Sequence, residues 1–592
     1  MTRTSLYDLF IPPRGFIGDF GMLCGFTASR GVLDRLRRGF SGETARPLLA
    51  AFLHPTPDAI SDLPGVAWLW VDTSGIGLLH AKVALLGFRA TEGEDYRLRL
   101  AVSTGNWTED PLTDSIDMFW HIEVDSGTRS RQDAADVRAA ARLFDWLRAR
   151  ADCGLIERTY DGRVTDARLR SAVAALPRSE AATRFIDSRE APLLDQISAR
   201  MPRAARRLVV GSGYFEAAGE GLGILDDVRT RLAGKRDATL DLVINPAACQ
   251  GVAHRAKALA AAGWRFRAPH SAMHAPGAKL HAKFIVADAG EAVLRGRIYL
   301  GSGNLSRAGM ARSATGGGNL EAGVVLDLPG GVRAGRLGDL LPARFDAEIA
   351  PTTLEPGADF DPPAAAPPPP SVTWLEWAGG RLIAPCGAEV DVVGPSGGVA
   401  RTPLDWPAPA PAVVTLAGSG WRLPVIAEDA LVVPRPAVIN AADVLARLGA
   451  FLHPAEDVDG EEGFDAPLTD AGEPLGPESG VDPADTSAQD YPIRRMMGLL
   501  ARLGEQQKAI RADDWPRWCR ELSEDLRAIA PQEEAMIGFF RAARANPLPV
   551  MADQRLRGTA CEGALLEEAL DRIAEAWGLE GLASLWDGEE KL

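Results

Sequence analysis

Two stretches of the chain carry residues that can act on a phosphate. One is LHAKVALLGF, with His80 and Lys82, followed by AVSTGNWT with Ser103 and Asn106. The other is KLHAKFIVAD and then IYLGSGNLSR, with His281, Lys283, Asp288, Ser302 and Asn304. The chain has 8 His and 7 Lys among 592 residues. About 0.1 His-x-Lys pairs are therefore expected by chance, yet two occur, each before a Gly-Asn turn. In an extended strand the period of two puts the His and Lys of a pair on one face. Histidine can both attack phosphorus and donate a proton near neutral pH. Two of them facing across a phosphate divide the work: one attacks and forms a phosphohistidine, the other protonates the leaving oxygen and then activates water. Lys82 and Lys283 neutralise the non-bridging oxygens, and Asn106 and Asn304 donate to the same charge. Each such donor is worth roughly 3–4 kcal/mol.

These residues resemble the signature of the phospholipase D superfamily: His-x-Lys, four residues, Asp, then Gly-Ser-x-Asn, present twice. The second copy matches throughout, at His281, Lys283, Asp288, Gly301, Ser302 and Asn304. The first departs at Gly87, which stands where the Asp would be. A first copy without its Asp, followed by Asp117 and Trp120, is similar to the nuclease and tyrosyl-DNA phosphodiesterase-like members. The run GGGNLEAGV sets Glu321 where the family places a carboxylate behind a catalytic His. The resemblance covers residues 18 to 350. It implies an α/β fold of two pseudo-twofold-related lobes, with mixed sheets flanked by helices, around one site that needs neither metal nor cofactor. It also implies that His80 attacks and His281 is the general acid and base.

Around that core, Asp117 and Glu321 are expected to fix a His tautomer, as a triad carboxylate does. Asp288 is expected to hold the turn behind the site. Ser103 and Ser302 either contact phosphate or cap their turns. Trp107 and Trp120 are candidates for stacking a base, and Lys279 and Arg307 are candidate cleft cations. His270 and His274, in RAPHSAMHAPGAK, precede the second motif.

The elements that must position these residues repeat as well. FGMLCGFTAS parallels RRLVVGSGYF as a first buried strand, and LLAAFLHP parallels LDLVINP, so Pro55 and Pro246 both end a strand. A duplicated strand–helix–strand unit predicts two mixed sheets packed together. The lobes are read at 1–190, including a helical connector, and 191–350. ADVRAAARLFDWLRARA within the connector is apolar at helical spacing. A Pro-rich linker is read at 351–371, and a small all-β domain at 372–440. An acidic segment expected to be disordered follows at 441–490, with twelve acidic residues and no basic one between Arg447 and Arg494. A helical domain of about four helices is read at 491–592.

The formal net charge is −16, divided as +5 over residues 1–350 and −21 beyond. A mildly basic catalytic half suits a polyanionic substrate, and the acidic C-terminal half suits protein partners. No run of eighteen apolar residues appears, MTRTSLYDLF does not read as a signal peptide, and the six Cys are scattered without a metal-ligand spacing. A cytoplasmic, bacterial, metal-independent phosphodiesterase is therefore expected. The foremost reading is a nuclease or DNA-end-processing enzyme, in a repair or phage-defence system. The alternatives are a phospholipase or phosphatidyl transferase, and a degenerate binding subunit of a larger complex.

Overall fold

In a computed structural model, residues 6–42, 45–55, 62–113, 115–128, 130–178, 181–216, 223–233, 238–270, 278–357, 369–433, 440–449, 491–510, 512, 515–556 and 561–585 are described. Six apolar runs of the first lobe make one sheet. They are β1 (Phe16–Gly25), β2 (Leu49–Leu53), β3 (Val66–Trp70), β4 (Val83–Ala90), β5 (Tyr96–Ser103) and, after the two-residue β6 (Ser115–Ile116), β7 (Phe119–Asp125). The order is β3-β2-β1-β4-β5-β7, parallel from β3 to β1 and antiparallel from β1 to β7. Strands β2, β3 and β4 are buried at every position, which is why their sequences are almost continuously apolar instead of alternating.

The connector begins with a helix, Arg131–Arg148, whose N-cap Ser130 accepts from the Asp133 N–H and whose Val137, Leu143, Phe144 and Leu147 are buried. A short hairpin of β8 (Thr159–Tyr160) and β9 (Arg163–Val164) follows, then helices Ala167–Ala175 and Leu193–Arg200. The second sheet takes β10 (Phe185–Asp187), β11 (Arg207–Gly211), β12 (Thr239–Val243) and β13 (Trp264–Arg267). After the two-residue β14 (Lys279–Leu280) it adds β15 (Phe284–Asp288), β16 (Gly296–Gly301) and β17 (Ala322–Asp327). Its order, β13-β12-β11-β15-β16-β17-β10, repeats that of the first sheet with one strand added. The added strand corrects the lobe boundary expected at 190: Phe185–Asp187 pairs antiparallel with β17 and so belongs to the second sheet.

The chain forms two compact units, Met1–Arg37 with Thr44–Val433, and Arg38–Glu43 with Pro434–Leu592. The strands read as a small β domain lie in the first unit, where the Trp421 ring stacks on Trp68 of β3 at 5.2 Å and meets Trp70 edge-on at 5.3 Å. The start of the expected linker is not a free spacer. Glu355 N–H donates to the Pro246 carbonyl at 2.8 Å, and Cys249 N–H donates to the Glu355 carbonyl at 3.0 Å. Residues 358–368 lie outside the described residues. In the second unit the helices Pro492–Lys508, Trp515–Ala528, Glu534–Ala542 and Gly563–Trp577 enclose a core around Leu503, Trp518, Leu522, Ile537 and Ile573. The acidic segment begins with order where disorder was expected: Ala441–Gly449 is a helix, and Val444 and Leu448 enter that core. Residues 450–490 lie outside the described residues. Among the described residues no helix is long and apolar enough to cross a membrane.

One buried charge ties the first sheet together. Asp19, 1% exposed, sits at a bulge of β1. It receives Arg163 at 2.7 Å, Arg46 at 3.3 Å and the Tyr96 hydroxyl at 3.2 Å, with Arg89 at 3.9 Å. Burial alone would raise its pKa, but Arg46, Arg163 and Arg89 outweigh burial and hold it below the ordinary carboxyl value. Its contribution is therefore present at neutral pH and is lost as pH falls through that lowered value. Asp19→Ala should remove the buried acceptor shared by Arg46, Arg163 and Tyr96 and destabilise the first unit by roughly 3–5 kcal/mol. Chemical denaturation at neutral pH checks this, and Asp19→Asn should lie between wild type and Asp19→Ala.

Candidate active site

The two His-x-Lys pairs lie in extended runs that lead into β4 and β15, just outside the regular strands. Each run is held by the other lobe. His80 N–H donates to the Leu320 carbonyl at 2.9 Å, and Leu320 N–H donates to the Leu78 carbonyl at 2.8 Å. Reciprocally, β14 pairs parallel with β6, and His281 N–H donates to the Ile116 carbonyl at 3.0 Å. The segments that receive the histidines are those that carry the carboxylates. Glu321 follows Leu320, and Asp117 follows Ile116.

This crossing brings four side chains into two pairs. His80 Nδ1 lies 2.8 Å from Glu321 Oε2, and His281 Nδ1 lies 3.0 and 3.2 Å from the two Asp117 oxygens. A carboxylate accepts, so the proton of each ring is assigned to Nδ1 and the lone pair to Nε2. Further donors fix the carboxylates. Ser302 Oγ donates to Glu321 Oε2 at 2.5 Å and Asn319 Nδ2 to Oε1 at 3.1 Å. Thr104 and Ser115 hydroxyls each donate to Asp117 at 2.7 Å. Thr104, Ser115 and Asn319 have no motif to mark them, and sequence reasoning passed over them. The close approach also dictates glycine at 105, where a Cβ would stand 2.9 Å from the Asp117 carboxyl.

The lysines complete the site. Lys82 and Lys283 are 0% and 1% exposed. Lys82 Nζ donates to the His80 carbonyl at 2.9 Å, and Lys283 Nζ to the Thr104 carbonyl at 3.2 Å. Lys283 Nζ also lies 3.0 Å from His281 Nε2. The Nε2 of His80 has no hydrogen-bond partner among the described residues. Burial disfavours charge on all four groups. It pushes the Lys82 pKa down to about 7, helped by the neighbouring Lys283. It pushes Lys283 down to about 8, against the pull of Asp117 and Glu321. Burial lowers His80 to about 4, with Glu321 opposing and Lys82 assisting. Burial and then Lys283 lower His281, against Asp117. For Asp117 burial would raise the value, but His281 and Lys283 prevail and hold it far below the carboxylate range.

Asn106 and Asn304 share a feature: the side-chain oxygen of each is buried with no donor among the described residues. Ser103 caps its turn, its Oγ accepting from Gly105 N–H at 3.0 Å. Asp288 accepts from the N–H groups of Gly290 and Arg295 at 3.0 and 2.7 Å, at the far end of β15 from His281. It holds the β15–β16 turn. At the equivalent Gly87 a Cβ would lie 2.1 Å from the Tyr96 hydroxyl, which donates to Asp19. Tyr96 and Asp19 therefore occupy that corner in the first copy.

Of the two candidate stacking residues, Trp107 is corrected. Trp107 is 1% exposed and donates its indole N–H to the Cys24 carbonyl at 2.9 Å, so it is a core residue without a face for a base. Trp120 packs against the core, and its ring carries the Arg184 guanidinium at 5.0 Å. Lys279 is exposed on β14, two residues before His281. Arg307 is exposed, with its N–H donating to Glu216 at 3.2 Å. His270 is exposed, and His274 lies outside the described residues. Among the described residues, no group of three or more His, Cys, Asp or Glu side chains is arranged to hold a metal ion.

No family model matches the chain, and no curated protein matches it. Among solved structures it is similar to the yeast tyrosyl-DNA phosphodiesterase, at 12% identity, over 55% of this chain and 85% of that one, with a TM-score of 0.36. It is also similar to the polyphosphate kinase of Porphyromonas gingivalis, at 12% identity over 61% and 48%, TM-score 0.34. A third is the phosphatidylserine synthase of Haemophilus influenzae Rd KW20, at 10% identity over 55% and 79%, TM-score 0.33. Similarity at these TM-scores assigns no activity, and the chemistry is read from the side chains.

The depressed lysines make anion binding pH-dependent with a defined sign. A bound anion favours the charged lysines, so binding at about pH 8 should take up protons and weaken as pH rises through about 7 to 8. Sulfate, whose own charge is constant there, is the probe. Calorimetry in buffers of different ionisation enthalpy should show net proton uptake, reduced in Lys82→Met.

Proposed function

We propose that the chain is a metal-independent phosphodiesterase acting through a phosphohistidine, with a nucleic-acid substrate. The observation that carries this reading is the crossed pair of carboxylate-held histidines beside two buried lysines. His80 is assigned as the nucleophile because its Nε2 lone pair has no partner among the described residues, whereas His281 Nε2 is engaged by Lys283.

His80 Nε2 attacks phosphorus and forms the P–N bond. The P–O bond to the leaving group breaks, and that oxygen takes the proton of His281 Nε2. For His281 to carry that proton, Lys283 must turn from the imidazole to the phosphate, whose negative charge favours both cations. His281, neutral again, then takes a proton from water. The water oxygen bonds to phosphorus, and the P–N bond breaks. Glu321 and Asp117 stabilise the imidazolium formed on each ring in turn without accepting its proton. Lys82 and Lys283 neutralise the non-bridging oxygens. The amides of Asn106 and Asn304, turned over, replace their donorless oxygens with N–H groups directed to the phosphate.

The net charge of +5 over residues 1–350 supports a polyanion over a lipid headgroup. Purified protein incubated in excess EDTA with labelled single-stranded DNA, duplex DNA and phosphatidylcholine tests the reading. DNA cleavage that survives the chelator is expected. Cleavage of phosphatidylcholine alone would replace the substrate class, and activity that vanishes in EDTA and returns with magnesium would refute the mechanism.

A further inference from the structure

We propose that His54 is a positioning residue that fixes the backbone beneath the nucleophile, an inference that rests on the reading of His80 as the attacking group. His54 follows the last residue of β2 and is 7% exposed, as is His80. Leu79 N–H donates to His54 Nδ1 at 3.2 Å. The segment that delivers His80 is thereby gripped on both edges. Leu320 bonds the N–H of His80 and the carbonyl of Leu78 on one edge, and His54 takes the intervening N–H of Leu79 on the other. Phe26 fills the space between the rings, its centroid 5.2 Å from His54 and 5.7 Å from His80.

The second lobe meets the same need with a different side chain. Asn245, at the matching place after β12 and before Pro246, accepts the Leu280 N–H on Oδ1 at 2.8 Å and donates to the Leu280 carbonyl at 2.9 Å. Leu280 precedes His281, whose own N–H is held on the opposite edge by Ile116. What the two lobes share at this position is an acceptor for the N–H before the site histidine. Because a backbone N–H can only donate, His54 must keep its lone pair on Nδ1 and its proton on Nε2. Burial lowers the His54 pKa and favours that neutral form. The role is therefore geometric. A residue that holds the attacking atom matters because a misplacement of about 1 Å can cost roughly 100-fold in rate.

Two variants separate this role from packing. His54→Phe keeps a ring against Phe26 but offers no acceptor, while His54→Asn reproduces the acceptor of Asn245 and removes the ring. Single-turnover cleavage of bis(4-nitrophenyl) phosphate, sulfate affinity, and hydrogen exchange at the Leu79 amide are measured for both. His54→Phe should slow the covalent step by roughly 10–100-fold, leave sulfate affinity close to wild type, and speed exchange at Leu79. His54→Asn should recover most of the rate and the protection. A fast His54→Phe with a slow His54→Asn would make the ring the functional part, and equal loss in both would make the imidazole itself necessary. Either result overturns the proposal. If wild type does not cleave, the proposed chemistry fails. The amide exchange then still decides the contact: protection in His54→Asn alone upholds it, and equal exchange in both variants rejects it.

Discussion

Each site histidine is held by a carboxylate that arrives from the opposite lobe, and the arrangement of the first unit answers to that constraint. Neither lobe supplies the carboxylate of its own site histidine, since Glu321 belongs to the second lobe and holds His80, while Asp117 belongs to the first and holds His281. The exchange is possible because the short backbone pairings across the lobes place the two segments edge to edge. It also balances charge. Two buried ammonium groups would be costly to desolvate alone, and the two carboxylates, fed by Ser302, Asn319, Thr104 and Ser115, offset that cost. The balance is partial, and the depressed pKa values of Lys82, Lys283 and His80 register what remains. A site in that condition favours an incoming anion.

The two halves share a strand order but not a microenvironment. His281 has a side chain 32% exposed, against 9% for His80. Its Nε2 faces Lys283, while that of His80 is uncommitted among the described residues. In the first copy the corner that Asp288 occupies in the second is filled from neighbouring strands, by Tyr96 and Asp19. Glycine at 87, where the second copy has Asp288, therefore goes with a local packing of β1, β4 and β5, far along the strand from His80 and Lys82. The difference between the two histidines follows from burial and from the reach of Lys283, not from the absent Asp.

What the sequence made legible was the part encoded by residue type at short spacing. His-x-Lys and Gly-Asn repeat at fixed offsets, and long apolar strands announce two sheets, so the core of the site and its scaffold were readable. Glu321 and Asp117 could be picked as candidates, but which histidine each would hold depends on pairings between segments about two hundred residues apart, which no local pattern carries. The residues that orient the carboxylates, and His54, are ordinary polar residues whose role exists only through those contacts. Trp107 misled because an aromatic next to a motif looks the same in sequence whether it faces a cleft or a core. The helix Ala441–Gly449 was hidden by the acidic composition of the residues that follow it.

The central claim, that His80 forms the covalent bond to phosphorus and His281 clears it, is tested most directly by trapping. Loading the His281→Ala protein with bis(4-nitrophenyl) phosphate, whose leaving group needs no acid, should leave a phosphoryl adduct that mass spectrometry locates on His80. An adduct on His281 in the His80→Ala protein, with none on His80 in the reciprocal variant, would contradict the account.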